Sequence, residues 1–319
     1  MRRRTRIGFR FVRLALMIEG QEGVTWDDWV ALASACEEHG VEALFRSDHY
    51  ISWFDESRRV LDAWATIAGL AARTTKLELG TLVSPATFRH PSVLARSAAT
   101  ADEISGGRVT LGMGAGWQDR EHRAYGFEFG TARERVARLG EQLEIVHDLL
   151  REDRVDFEGT YYRLEGAPGF HRPDLTILVG GSAKPGTAGP AVRFANEYNT
   201  LFGTLDEVRD RKQALDEACE RGERDPSTLR YSLMAPCVIG RDEREVLASA
   251  RRIGTRFGRD PQEVLERYGD GPVGTIAEAA ERLKQIEEIG YERVMLQHLV
   301  HDDLETVALI GRELAPAVA

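Results

Sequence analysis

The first segment that could do chemistry in this 319-residue chain is Ser47-Asp48-His49. It follows VEALFR (41–46), an apolar run typical of a buried strand, and precedes a loop rich in aromatic residues. A carboxylate beside an imidazole can bind a hydroxyl-rich ligand and relay a proton near neutral pH. The motif alone leaves a structural alternative open, in which Asp48 caps the loop and His49 is a hydrogen-bonded polar residue.

A second candidate is the turn Gly180-Gly181-Ser182-Ala183-Lys184, which lies between an apolar run and a helical stretch. Successive backbone N–H groups in a glycine-rich turn before a helix can bind an anion, and Lys184 would add positive charge. A tight strand-to-helix turn without any ligand explains the same residues equally well.

A third candidate is the glycine-rich segment from Gly112 to Trp117, which lacks the last glycine of the GxGxxG dinucleotide fingerprint, so no Rossmann site is predicted. Glycines such as Gly114 instead allow a ligand or a neighbouring backbone to approach closely. The sequence has neither HxxxH nor GxSxG spacing, and it predicts no metal site.

These segments are positioned by apolar runs that alternate with segments of helical periodicity. The alternation predicts an α/β fold, a (β/α)8 TIM barrel, because parallel strands need a crossover helix between them. Active sites of such barrels lie at the carboxyl ends of the strands, where all three segments fall. The predicted strands are LALMI (14–18), VEALFR (41–46), KLELGTLV (76–83), RVTLGMG (108–114), LTILVG (175–180), EYNTLF (197–202), LRYSLMAPCVIG (229–240) and ERVMLQHL (292–299).

Local patterns add detail to this barrel. Asp153 to Arg172 breaks the alternation and indicates a short hairpin inserted before strand five, with Gly159 at its turn. Thr204–Glu207 and Thr275–Glu278 have the spacing of capping boxes at helix starts. No linker divides the chain, so one domain is predicted.

Composition excludes several other classes of protein. The net charge of −10 is a poor match to nucleic-acid phosphates, and 42% hydrophobic with 29% charged residues is ordinary for a globular chain. No run approaches the ~20 apolar residues of a membrane span. Widely spaced cysteines indicate reduced thiols of a cytoplasmic protein. Residues 1–11 are predicted as a basic extension and 12–319 as the domain, because Arg10 and Arg13 interrupt a would-be signal peptide.

Several segments together resemble one family, the luciferase-like oxidoreductases of the bacterial luciferase superfamily, in the branch that uses the deazaflavin coenzyme F420. The resemblance implies a ring-containing redox cofactor across the barrel mouth and hydride transfer to or from a small organic substrate. The segments that carry it are MIEGQEGVTW, LFRSDHY, LGTLVSPATFRHPSVLA, SGGRVTLGMGAGWQDREHRAYGFEF, ILVGG and VGTIAEAAERL.

The resemblance also implies roles for individual residues. His49 is expected to exchange a proton or to bind the substrate, and Trp53 to line the substrate pocket. Leu82–Val83 matches a cis peptide bond behind the central ring of the cofactor. The remaining cofactor contacts expected from it are Asp48, Gly114 and the phosphate-binding backbone amides of Gly180, Gly181, Ser182 and Ala183.

One position departs from the family pattern. Sugar-phosphate dehydrogenases of this branch have a glutamate as acid where this chain has Trp117, so Trp117 is expected in the substrate pocket and sugar phosphates need not be substrates. The proton then comes from His49 or, failing that, from Glu121, His122 or solvent. Two other functions stay open, namely an FMN-dependent monooxygenase and a flavin-binding or deazaflavin-binding barrel without turnover. A homodimer is also expected.

Overall fold

Each of the eight apolar runs contributes a strand to one parallel barrel in the computed structural model, which describes residues 11–319. The strands are β1 (Arg13–Ile18), β2 (Ala43–Arg46), β3 (Glu78–Thr81), β4 (Ser84–Pro85), β5 (Val109–Gly114), β6 (Arg154–Glu158), β7 (Arg163–Pro168), β8 (Thr176–Gly180), β9 (Glu197–Leu201), β10 (Arg230–Pro236), β11 (Val238–Gly240), β12 (Val273–Thr275) and β13 (Arg293–Gln297).

Helices connect these strands on the outside of the barrel. They are α1 (Trp26–His39), α2 (Ala63–Ala71), α3 (Pro91–Ser105), α4 (Asp119–Tyr125), α5 (Ala132–Arg151), α6 (Pro185–Phe194), α7 (Leu205–Arg221), α8 (Glu243–Phe257), α9 (Pro261–Tyr268), α10 (Ile276–Ile289), α11 (Leu304–Leu309) and α12 (Ala315–Val318). A 3₁₀ turn spans Pro226–Thr228, and a π-helical turn, Ile310–Leu314, joins α11 to α12.

The pairing of the strands closes the barrel, as predicted. Neighbours follow the order β3, β2, β1, β13, β10, β9, β8, β5, and the pair Leu79–Val109 joins β5 back to β3. The third strand is split, because β4 continues along β5 after a break at 82–83. The ring therefore brings eight carboxyl ends to one rim.

The inserted hairpin forms where it was predicted. Strands β6 and β7 pair antiparallel, and the amide of Gly159 donates to the carbonyl of Tyr162 at the turn. Residues 229–240 were predicted to form one strand but form two. The barrel strand β10 ends at Pro236, because proline has no amide to donate to the neighbouring strand. The last residues of this run form β11, which pairs with β12 rather than with the barrel strands.

Helix starts agree with the capping patterns. The hydroxyl of Thr204 accepts from the amide of Glu207, and the Glu207 carboxylate accepts from the amide of Thr204. Thr275 and Glu278 make the same reciprocal pair, and Thr25 makes one with Asp28. Because each box satisfies two amides that the helix leaves unpaired, these starts are specified by residues only three positions apart.

Buried charges fill the amino-terminal floor of the barrel. Arg293, the first residue of β13, is fully buried and donates from both terminal nitrogens to Glu78 at 2.8 and 2.9 Å. Its Nη1 also lies 3.6 Å from the buried carboxylate of Glu197. Burial opposes ionisation of Glu78, but Arg293 outweighs it and holds the pKa of that carboxyl below its usual value.

The other expectations about the chain have separate outcomes. Residues 1–10, most of the predicted basic extension, lie outside the described residues. Between residues 11 and 319, no helix has the length and apolar character needed to cross a membrane. Cys36, Cys219 and Cys237 are free and buried.

Replacing Arg293 with methionine should lower the free energy of unfolding by about 3–5 kcal/mol, because it leaves buried carboxylates without their cation. Urea denaturation measures this loss. The matched control is Arg13→Met, which removes a partly exposed partner of the same Glu78 and should cost about 1 kcal/mol or less. Equal losses for the two variants would contradict a special role for the buried floor.

Candidate functional site

A cavity of about 420 Å³ opens at the carboxyl ends of the barrel strands. It brings together most of the residues predicted for the site, although they come from separate loops. The predicted residues that line it are His49, Trp53, Leu82, Val83, Gly114, Trp117, Gly180, Gly181 and Ser182. Asp48 and Ala183 are not part of the lining.

His49 is held in place by a buried carboxylate. Its Nδ1 lies 2.7 Å from Oε1 of Glu121 on α4, whose other oxygen accepts from the amide of Tyr50 at 2.9 Å. An ionised Glu121 therefore keeps a proton on Nδ1. Nε2 of His49 hydrogen-bonds to no residue from 11 to 319, so it is the nitrogen available to a ligand.

The charge around His49 changes its proton affinity. Burial lowers the pKa of an imidazole, but here the hydrogen bond and negative charge of Glu121 outweigh that effect. Glu19 and Asp48 add to the attraction, and the pKa of His49 is raised above its ordinary value. The site thus favours a protonated imidazole that can act as an acid.

Two tryptophans pack against His49 and form an aromatic wall. Ring centroids lie 5.5 Å apart for His49 and Trp53, 5.9 Å for His49 and Trp117, and 5.5 Å for the two tryptophans, all edge to face. Trp117 is 60% exposed at the rim of the cavity. Both residues line the cavity next to His49, and their expected contact with a substrate stays a prediction.

The loop that carries Trp53 rests on contacts from two other elements. Buried Glu22, which follows β1, accepts from the Trp53 amide at 3.0 Å, from Ser52 Oγ at 2.8 Å and from Arg58 Nη1 at 2.5 Å. The ring of Phe54 packs on Phe257 at the end of α8, with centroids 4.5 Å apart. The position of Trp53 therefore depends on residues outside the cavity.

Asp48 does not line this cavity, so its expected contact with the cofactor stays a prediction. Its carboxylate is buried and accepts from both terminal nitrogens of Arg89, at 2.6 and 3.2 Å, and from Ser84 Oγ at 2.7 Å. Adjacent Asp48 and His49 thus face different partners. Asp48 fastens the end of β2 to the residues that follow β3, and it borders a neighbouring cavity of about 690 Å³.

The peptide bond Leu82–Val83 is cis, as the resemblance implied, and both side chains line the cavity. The side chain of Val83 explains why two nearby positions are glycine. A Cβ on Gly114 would lie 2.5 Å from a methyl group of Val83, and one on Gly180 would lie 2.9 Å from its other methyl group. Gly114 therefore makes room for Val83, so the expected direct cofactor contact of Gly114 stays a prediction.

The glycine turn has fewer available amides than predicted. The Gly181 amide donates to the carbonyl of Asn199 at 3.0 Å, and the Ala183 amide donates to Tyr198 Oη at 3.1 Å. These two amides are thus unavailable to a phosphate in this arrangement. Within the described chain, the Ser182 amide donates to no acceptor, nor does that of Gly186 in the first turn of α6.

The sequence analysis did not single out Glu19 or Arg211, which both line the cavity. Glu19 accepts from Gln21 Nε2 at 3.0 Å and from Gln297 Nε2 at 2.5 Å. Its position directly after β1, at a strand's carboxyl end, is the signal that could have found it. Arg211 lies within α7, where no such signal exists, and donates to the carbonyl of Leu201 at 2.5 Å.

His122 is not a source of protons for the cavity. Its Nδ1 pairs with the carbonyl of Gln118 at 2.6 Å, and its Nε2 pairs with Thr87 Oγ1 at 2.7 Å. Both ring nitrogens are therefore occupied away from the lining. No group of three or more histidine, cysteine or acidic side chains that could hold a metal ion occurs in the part of the chain that the structure describes.

Solved structures share this barrel. An F420-dependent secondary alcohol dehydrogenase in complex with an F420-acetone adduct superposes with a TM-score of 0.81 at 20% identity, covering 97% of this chain and 99% of that one. The oxygenating constituent of 3,6-diketocamphane monooxygenase from Pseudomonas putida, in complex with FMN, has a TM-score of 0.74 at 17% identity, with 97% and 99% covered. At these identities the likeness establishes the fold.

Sequence comparison is more specific. F420-dependent glucose-6-phosphate dehydrogenase 1 of Rhodococcus jostii (strain RHA1) is 30% identical over 315 residues, which cover 90% of this chain and 92% of the relative. The sequence model described as luciferase-like monooxygenase matches residues 9–311. Because that match spans nearly all of the barrel, this chain belongs to the luciferase-like monooxygenase family.

Proposed function

We propose that this protein is an oxidoreductase that uses coenzyme F420 to transfer a hydride to or from a small organic substrate. The observation that supports the proposal is the buried His49–Glu121 pair at the wall of the barrel cavity, because His49 would be a proton donor beside a surface suited to a flat ring. The similarity to F420-dependent glucose-6-phosphate dehydrogenases supports the choice of coenzyme.

The residues present fit such a cofactor. Leu82, Val83 and Met234 offer an apolar surface for the ring, since they line the cavity beside the glycine turn. The available amides of Ser182 and Gly186 lie at the start of α6, where backbone donors and the helix dipole favour a phosphate. The bound coenzyme would supply the hydride chemistry.

The protein would supply the proton. With Nδ1 fixed by Glu121, a protonated His49 can donate from Nε2 to a substrate oxygen when the substrate carbon is reduced. In the opposite direction, neutral His49 accepts the proton from an alcohol. The tryptophan wall excludes water and orients the substrate against His49.

An FMN-dependent monooxygenase is the second candidate. The observation that favours it is the turn at Ser182, whose available amide suits the phosphate of FMN as well as that of F420. Oxygen consumption in the presence of FMN and a flavin reductase would support this candidate over hydride transfer.

The proposal also includes a small-molecule substrate, a cytoplasmic location, one domain over 12–319 and a homodimer. The dimer rests on the resemblance to the family. Size-exclusion chromatography with light scattering measures the mass in solution, and the mass of a monomer would contradict the proposed dimer.

Titration of the purified protein with F420 and with FMN should show tighter binding of F420. Fluorescence of each cofactor provides the measurement. Binding of FMN alone, or of neither cofactor, would contradict the proposed function.

Ser182→Asp should raise the Kd for F420 by about tenfold, because its carboxylate would lie beside the cofactor phosphate. The matched control is Ser182→Asn, which has the same shape without the charge and should bind nearly as the parent does. Equal weakening in the two variants would mean that shape rather than charge acts at this turn. The thermal midpoint shows whether either variant is misfolded.

His49→Ala should lower kcat by about 10²- to 10⁴-fold while leaving the F420 affinity nearly unchanged. Glu121→Gln keeps a hydrogen-bonding partner for Nδ1 but removes the charge that raises the pKa of His49. Substrate reduction needs protonated His49 and is lost as pH rises through that pKa. In Glu121→Gln the loss should therefore begin at lower pH.

The measurement is kcat against pH with reduced F420 for the parent and both variants. Full turnover by His49→Ala would contradict the role of His49 as the acid. An unshifted pH profile in Glu121→Gln would show that Glu121 only supports the loop.

A further inference from the structure

Apart from His49 itself, positive charge is scarce in the cavity of about 420 Å³. Arg211 is the one arginine or lysine, among the described residues, that lines the cavity. It lies on α7 after β9, whereas His49 follows β2, and these strands stand opposite each other in the ring. Arg211 Nη1 also donates to the carbonyls of Leu201 and Phe202. Within this cavity, a protonated His49 is therefore the one positive group on the substrate side, and Arg58 and Arg59 line instead the neighbouring cavity of about 690 Å³ that His49 also borders.

A negatively charged side chain, Glu19, lies close enough to affect His49. Glu19 follows β1, the strand next to β2, and its charge contributes to the raised pKa of His49. Its oxygens already accept hydrogen bonds from Gln21 and Gln297, which hold the carboxylate in place. A phosphorylated substrate at His49 would lose water and meet this carboxylate, and both effects oppose binding.

Apolar surface is abundant on the same side. Trp53 and Trp117 present ring edges and faces next to His49, and Trp117 is more than half exposed. Across the rim, Leu201 is 56% exposed and also lines the cavity. Large apolar side chains left exposed around a concave site mark contact with an apolar ligand.

We propose that the substrate is an uncharged hydrophobic carbonyl compound, or the corresponding alcohol, whose apolar body packs on Trp53 and Trp117. This proposal rests on the F420-dependent function above. On reduction, the bound coenzyme would supply the hydride for the new C–H bond, the carbonyl π electrons would move to oxygen, and His49 Nε2 would give that oxygen its proton. The products are the alcohol, oxidised deazaflavin and neutral His49.

The experiment compares two probes on the F420-loaded protein, benzylacetone as the hydrophobic ketone and glucose 6-phosphate as the sugar phosphate. Isothermal titration gives the Kd of each probe, and deazaflavin absorbance gives turnover. We expect benzylacetone to bind and to be reduced by the F420H2 form, and glucose 6-phosphate to do neither at about 10 mM, well above typical KM values.

Trp117→Ala should raise the Kd of benzylacetone by about twofold to tenfold, the range for one lost aromatic contact, and leave the Kd of F420 unchanged. Trp117→Phe should restore most of the affinity. The matched control is Tyr125→Ala, because Tyr125 is 55% exposed on neighbouring α4 but does not line this cavity. This control should bind both F420 and benzylacetone as the parent does.

Three results would overturn the inference: binding or oxidation of glucose 6-phosphate, no detectable binding of benzylacetone, or an unchanged benzylacetone Kd in Trp117→Ala. If the parent binds F420 but gives one of these results, only the substrate class is wrong. If the parent does not bind F420, the proposed function itself fails.

Discussion

The ion pairs of Arg293 set the geometry on which the mouth of the barrel depends. Arg293 begins β13, Glu78 begins β3 and Glu197 begins β9, so one guanidinium joins strands that are not neighbours in the ring. Two strands separate β13 from β3, and one separates it from β9. Because the strands are parallel and each pairs with its neighbours in a fixed register, holding their starts also fixes the height at which their carboxyl ends reach the rim.

The strands, helices and turns of the barrel can be predicted from local sequence patterns. The side-chain partners that meet between separate loops cannot. Strand and helix alternation, the capping box at Thr204 and the hairpin turn at Gly159 all depend on residues a few positions apart. Glu121 lies 72 positions from His49, and no pattern in either segment relates them. Adjacency also placed Asp48 beside His49 without showing that Asp48 turns to Arg89, since neighbouring side chains point in different directions.

Two parts of the mouth have different constraints, and β9, β10 and α7 supply the rest of its lining. One part is built from β3, β4, β5 and β8, where glycine at positions 114 and 180 leaves room for Val83 and larger side chains would clash. The other part comes from the loops after β1 and β2 and from the approach to α4, and it contains larger and more varied side chains. The second part is the one in which Trp117 differs from the glutamate expected of sugar-phosphate dehydrogenases.

The contact between Phe54 and Phe257 has a consequence for how this pocket changes during evolution. Phe257 ends a helix that never reaches the cavity, yet its ring supports the loop on which Trp53 is carried. A substitution in α8 or in the turn before α9 can therefore tilt that loop and reshape the pocket while the glycine turn at Gly180 stays intact. The shape of the cavity beside Trp53 can in this way change through residues that do not line it, without any change at the glycine turn.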